Sequence, residues 1–199
     1  IKIKSANRVV EILELLASNR YGMKHKDIAE KLDIPKGSLS KLLNNLTDVG
    51  YSAFDAATKT YKLGSRVLGL ADSYLSGLDV VQVAQPILRS LVAKTGESCS
   101  LAVPDGKAAL VVHRQYGSQP MHYRLGIGAR IPLYATASGK TILAFLSKRE
   151  IEQYISKEEL RPLTQATITD SAVLLRELET IRSELLAFSR QERFEGLSA

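Results

Sequence analysis

The run with the clearest chemical potential is Ala137-Ser138-Gly139-Lys140-Thr141. Gly-Lys-Thr closes a phosphate-binding loop, in which backbone amides cradle phosphates and the lysine neutralises them. Such a loop also needs a glycine five residues ahead, where the chain bends round the β-phosphate, and Tyr134 stands there instead. No magnesium-binding carboxylate follows a hydrophobic strand, so nucleotide hydrolysis is not expected. The same residues suit a helix start that receives an anion. Amides at a helix N-terminus carry partial positive charge, and a carboxylate near Ala137 and Ser138 is stabilised there without any reaction. The Ser138 hydroxyl adds a donor, but Gly-x-Ser-x-Gly is absent, so it is no hydrolase nucleophile. His25, His113 and His122 have no carboxylate or cysteine at metal-ligand spacing, and the one cysteine, Cys99, reads as a small buried strand residue. Neither a catalytic set nor a metal site nor a cofactor is implied.

The elements that position these groups follow from hydrophobic periodicity. Val9, Ile12, Leu13 and Leu16 form the apolar stripe of a helix over 5–18. Ile28, Ala29 and Leu32 mark a second helix within 24–32, and Asp33-Ile34-Pro35 breaks the chain before a third. That third helix carries Leu39, Leu42, Leu43 and Leu46 and ends at Gly50. Residues 51–54 and 60–63 read as two strands joined at a five-residue tip. Three helices and a hairpin, with a very short link between the second and third helices, is the order of a winged helix-turn-helix.

On the third helix, the face opposite the leucines holds Gly37, Lys41, Asn44 and Asp48, flanked by Ser38, Ser40 and Asn45. Small, amide and basic groups suit base edges and phosphates, whereas Asp48 opposes them. Any surface helix has a polar outer face, so the reading rests on that face together with the helix order and hairpin. The expected DNA-contacting set is Lys36, Gly37, Ser38, Ser40, Lys41 and Asn44, with Lys59 at the hairpin tip and Arg8 and Lys24 on the backbone.

Charge agrees with this placement. The 199 residues carry a net +6, and residues 1–63 hold 11 basic against 7 acidic side chains, while 64–199 hold 16 against 14. The excess is densest where polyanion binding is expected. No apolar run approaches the ~20 residues that a bilayer demands, so no membrane partner is expected. One cysteine and no opening secretory signal imply a reducing, cytoplasmic setting. The chain starts at Ile1 and not with methionine, which leaves room for a leader.

Residues 64–78 form an apolar-striped linker helix, suited to a dimer contact or to core packing, and 80–95 a further amphipathic helix. Strand-like runs at 98–103, 108–114 and 121–126 form an antiparallel meander. Helices follow at 136–147, 148–156 and 171–187. The second part is thus α+β, with sheet and helices separated along the chain. Three strands cover these helices poorly, so the domain is expected to continue past Ala199.

The chain resembles the IclR family of bacterial transcriptional regulators over essentially its whole length. The resemblance is carried by the stretches 5–16 and 27–38, by Tyr61-Lys62-Leu63-Gly64, by residues 131–140, and by Leu163-Thr164 with Thr167-Ile168-Thr169-Asp170. It implies a winged helix-turn-helix domain over 1–63, a linker helix over 64–78 and a partial GAF-like effector-binding domain over 79–199. It further implies homodimers or tetramers on near-palindromic double-stranded operators, controlled by a small organic acid. By family position the effector-lining residues are Tyr123, Ile131, Ala137, Ser138, Ser189 and Leu197, with Tyr134 close by. Tyr123 and Tyr134 would suit stacking on an aromatic acid, and equally simple packing. The sequence departs from the family pattern at Glu184-Leu185-Leu186-Ala187-Phe188, where relatives usually have a glycine before an aromatic residue. Ser189 stands where some relatives present an aspartate. Two other classes stay open: an enzyme acting on a small carboxylate with the winged helix as an interaction module, and a pure scaffold.

Overall fold

The computed structural model describes residues 3–118 and 126–199. The chain divides into two compact units, 1–77 and 78–199.

In the first unit, α1 (Lys4–Ala17), α2 (His25–Lys31) and α3 (Lys36–Asp48) surround a core of Ile12, Leu16, Ile28, Ile34, Leu39, Leu43 and Leu46. Burying each of these side chains contributes roughly 1.5–3 kcal/mol, and their spacing is the apolar stripe of the sequence. The wing consists of β2 (Ser52–Asp55) and β3 (Thr60–Leu63), paired antiparallel with Asp55 opposite Thr60. A two-residue strand, β1 (Met23–Lys24), adds to the other edge of β3, giving the order β1-β3-β2. The sequence reading placed Lys24 at a helix start. Two residues make a strand only because a partner supplies the ladder, and that partner is distant in sequence.

The wing returns to the helices through Gly64. A Cβ there would lie 2.1 Å from Gly50 O, so the two backbones pack closer than any side chain permits. The helix α4 (Arg66–Ser76) follows and has no buried residue; Leu68, Leu70 and Tyr74 are exposed.

In the second unit, α5 (Asp79–Thr95) precedes an antiparallel sheet of β4 (Cys99–Asp105), β5 (Ala108–Gln115) and β6 (Arg130–Pro132), in the order β4-β5-β6. The strand expected to end at 103 runs on to Asp105, because β4 is an edge strand and tolerates proline opposite Ala109. The strand expected over 121–126 lies, but for Gly126, outside the described residues, and β6 was not expected. Then come α6 (Ala137–Ala144), α7 (Lys148–Lys157) and α8 (Ser171–Glu184), packed on the sheet through Val111, Ile131, Leu133, Leu143, Leu174 and Leu178. Ser147 and Glu150 form a capping box on α7, and the Asp170 carboxylate accepts from Ala172 and Val173 on α8.

The helix α8 ends three residues before its expected limit. Leu185 closes it in the left-handed conformation at φ 56°, a position that favours glycine. Beyond it, 189–191 and 197–199 pair into a small hairpin, with Ser189 N donating to Ala199 O at 2.7 Å and Ala199 N to Ser189 O at 2.9 Å.

Candidate functional site

Polar groups gather in two places, the outer face of α3 with the wing and the start of α6. On α3, Lys36, Gly37, Lys41 and Asn44 are exposed and Ser38 is half-buried, while the leucines of the opposite stripe face the core. Ser40, expected to touch DNA, is half-buried: its Oγ donates to Lys36 O at 2.9 Å and lies 3.0 Å from His25 Nε2 on α2. Lys59 is exposed at the wing tip with φ 53°. The tip is built by Asp55, whose carboxylate accepts from Ala57 N, Thr58 N and Lys62 Nζ. The Thr58 backbone bond, first among these, holds the Asp55 carboxyl below its usual range.

The start of α6 is shaped by a side-chain cap, a close approach at Gly139 and a buried charge. Thr136 caps the helix, its Oγ1 accepting from Gly139 N at 3.1 Å and donating to Pro132 O at 2.9 Å. A Cβ on Gly139 would meet Pro132 O and Thr136 Oγ1 at 2.5 Å, so the first turn sits directly on the strand end. Ala137 N and Ser138 N have no partner among the described residues, which leaves the two amides open for an acceptor.

Lys140 points the other way. It is fully buried, with Nζ 2.8 Å from Glu192 Oε1 and 3.0 Å from Glu177 Oε1. One ammonium thus ties α6 to α8 and to the C-terminal hairpin, and its complete burial shuts it off from a phosphate in solvent. The same hairpin is fastened by Thr167, whose Oγ1 donates to Glu192 O at 2.6 Å and accepts from Leu163 N and Thr164 N. Sequence reasoning missed Glu177 and Glu192, and weighed Lys140 only as the lysine of a phosphate-binding loop that it rejected. A lysine amid a helical apolar run followed by no second basic residue was the one available signal.

Of the expected effector residues, the structure brings Ser189 to the α6 start: it is buried, and its Oγ donates to Ala135 O at 3.3 Å. Ile131 is buried on β6 opposite Ala109, and Leu197 is half-buried in the hairpin. Tyr134 is buried and spends its hydroxyl on Arg161 O at 3.0 Å; burial pushes its phenol above the ordinary value. Tyr123 lies outside the described residues. An open groove of about 810 Å³ passes Tyr134, Arg161, Leu163 and Phe194, and is not lined by Ala137, Ser138, Ser189 or Leu197. Among the described residues no group of histidine, cysteine and acidic side chains could hold a metal, and no helix is long and apolar enough to cross a membrane.

A winged helix-turn-helix followed by a separate α+β unit is the architecture of a two-domain DNA-binding regulator. The IclR helix-turn-helix domain profile matches residues 5–55, and the profile described as bacterial transcriptional regulator IclR C-terminal matches 72–199. The chain belongs to the IclR family of bacterial transcriptional regulators. It is 33% identical to the HTH-type transcriptional regulator Rv1719 of Mycobacterium tuberculosis, over 96% of this chain and 73% of that protein. A transcriptional regulator from Rhodococcus sp. RHA1 superposes with a TM-score of 0.84 at 32% identity, covering 99% of this chain and 78% of the other. The fold is shared as well with an IclR homologue from Microbacterium hydrocarbonoxydans crystallised with 4-hydroxybenzoate, with a TM-score of 0.79 at 24% identity over 90% of this chain and 74% of that one.

Proposed function

We propose that the chain reads a near-palindromic operator through α3 and the wing, and that a small organic acid at the start of α6 controls that binding. The observation that carries the first half is the α3 face, where Lys36, Gly37, Lys41 and Asn44 stand exposed above a leucine core, with Ser38 half-buried beside them and Lys59 at the wing tip. A helix presented in this way enters the major groove, its lysines and amides meeting phosphates and base edges. A symmetric dimer supplies two such helices, and the uncovered apolar face of α4 at Leu68, Leu70 and Tyr74 is a surface fit for a second copy.

Support for an acid comes from the unpartnered amides of Ala137 and Ser138, with Ser189 alongside. A protein of the same fold holding 4-hydroxybenzoate agrees with that chemical class. Binding there would shift the population of dimer or tetramer arrangements and with it the spacing of the recognition helices. Beside this helix start Lys140 is held between Glu177 and Glu192, a structural role.

Selection of bound sequences from random duplex DNA, at stated salt, tests the proposal. Enrichment of a near-palindrome supports it, and that duplex then reports effectors by release or tightening in a carboxylate screen. Unenriched DNA whose binding vanishes at moderate salt would reduce the α3 face to a basic surface.

A further inference from the structure

We propose that the outward side of α5 is a self-association surface, on which two copies of this chain pair antiparallel about a two-fold axis beside Ile87. The inference stands apart from the DNA and effector readings and does not depend on them.

The apolar arc of α5 is wider than its packing uses. At about 100° per residue it spans roughly half the helix surface, from Val83 round to Val92, where one stripe suffices for a helix laid on a core. Val81, Leu88 and Val92 are half-buried on the side that lies against β4 and β5. Val80, Val83, Ile87 and Leu91 make up the other side and are exposed, Val83 by 67% and Ile87 by 64%. No residue of α5 is buried. Four aliphatic side chains in line and in water mark an interaction surface.

Shape and charge name the occupant. A groove of about 430 Å³ follows the exposed side, lined by Pro86, Ile87, Ser90, Leu91 and Lys94. Four of these, Ile87, Ser90, Leu91 and Lys94, stand at i, i+3, i+4 and i+7, the corners of the hole that receives one side chain of a facing helix. The exposed side chain one turn before that hole is Val83. Opposite charges sit at the two ends, Asp79 in the first turn and Lys94 in the last. Between them the one charge is Arg89, which falls outside the apolar arc. A second copy laid antiparallel with Asp79 opposite Lys94 brings Val83 opposite Ser90, over the hole, and Ile87 beside the axis. Both charged ends are then paired and the helix dipoles oppose. A foreign partner would have to carry the complement of this pattern, whereas a second copy supplies it by symmetry. With the uncovered face of α4 in the other unit, the chain has two self-pairing surfaces, which together build a tetramer.

Sedimentation velocity over a range of concentrations, on the parent chain and on Ile87→Arg, tests the proposal. The parent chain should self-associate, and the variant should fall to half the parent's mass at the same concentration, its pairing weakened about a hundredfold. Thiols test the register in a Cys99→Ser background. Ile87→Cys, beside the axis, should form a disulfide with its own copy on mild oxidation. The double variant Val83→Cys with Ser90→Cys should cross-link as well, and Val83→Cys alone should not, since its counterpart lies two turns away. Should Ile87→Arg melt early, the thiol series decides without it, because each of those changes is small and on the exposed side. A parent chain that stays monomeric, or an Ile87→Arg variant with the parent's mass, overturns the proposal. Cross-linking of Val83→Cys alone as efficient as that of Ile87→Cys overturns the antiparallel register. Loss of self-association through Leu68→Arg on α4, with Ile87→Arg indistinguishable from the parent, would assign the whole contact to α4 and overturn the proposal too.

Discussion

The two units keep their polar residues in opposite places. In the unit 1–77 the buried set is apolar apart from Ser52 and Thr60, and the groups proposed to touch DNA, except the half-buried Arg8, Ser38 and Ser40, stand in solvent. In the unit 78–199 the buried set includes Lys140, Glu192, Thr136, Thr167 and Ser189. A surface side chain can be exchanged with little effect on folding, whereas removing one member of a buried ion pair leaves its partner charged and unsolvated. Function and stability are therefore separable on α3 and entangled around α6.

The largest expected effect sharpens that contrast. Lys140→Ala strands Glu192 in the core and should cost the second unit about 3–5 kcal/mol, read by denaturant unfolding. Gly64→Ala probes the contrast from the other side, since it lies in the first unit yet touches no solvent-facing function. With Gly50 O only 2.1 Å from the new Cβ, a loss of about 1–3 kcal/mol is expected, and a neutral result would show that the wing can shift away. Lys41→Ala should weaken DNA binding about tenfold, with unfolding free energy unchanged within about 0.5 kcal/mol. A stability loss as large as the binding loss would break the separation. The smallest effect is a gain: Leu185→Gly relieves a left-handed leucine at an exposed helix end and should raise stability by about 0.5–1 kcal/mol in thermal unfolding.

The same contrast explains what was legible in the sequence. The helices of the first unit follow from one apolar stripe each, so their limits were readable to within a residue or two. Strand β1 was not, because its two residues acquire their state only by pairing with Tyr61 and Thr60. In the second unit the order of elements was readable, but the role of Lys140 was not. Its partners lie 37 and 52 residues away, and no local pattern announces a charge pairing over that distance. The end of α8 was overrun for a related reason. Leucine continues a helical pattern, yet Leu185 takes the left-handed conformation that ends the helix, which no local pattern announces. Ser40 was rightly placed on the outer half of α3, yet its bond to His25 depends on how α2 and α3 cross.

The claim at the centre of this account is that the outer face of α3 reads base sequence. Selection from random duplex DNA, run in parallel with the parent protein and with Asn44→Ala, tests it most directly. The account predicts a near-palindromic motif for the parent protein, and for the variant the same motif with preference relaxed at one base pair in each half. An identical motif from both proteins, or none from the parent, would contradict it.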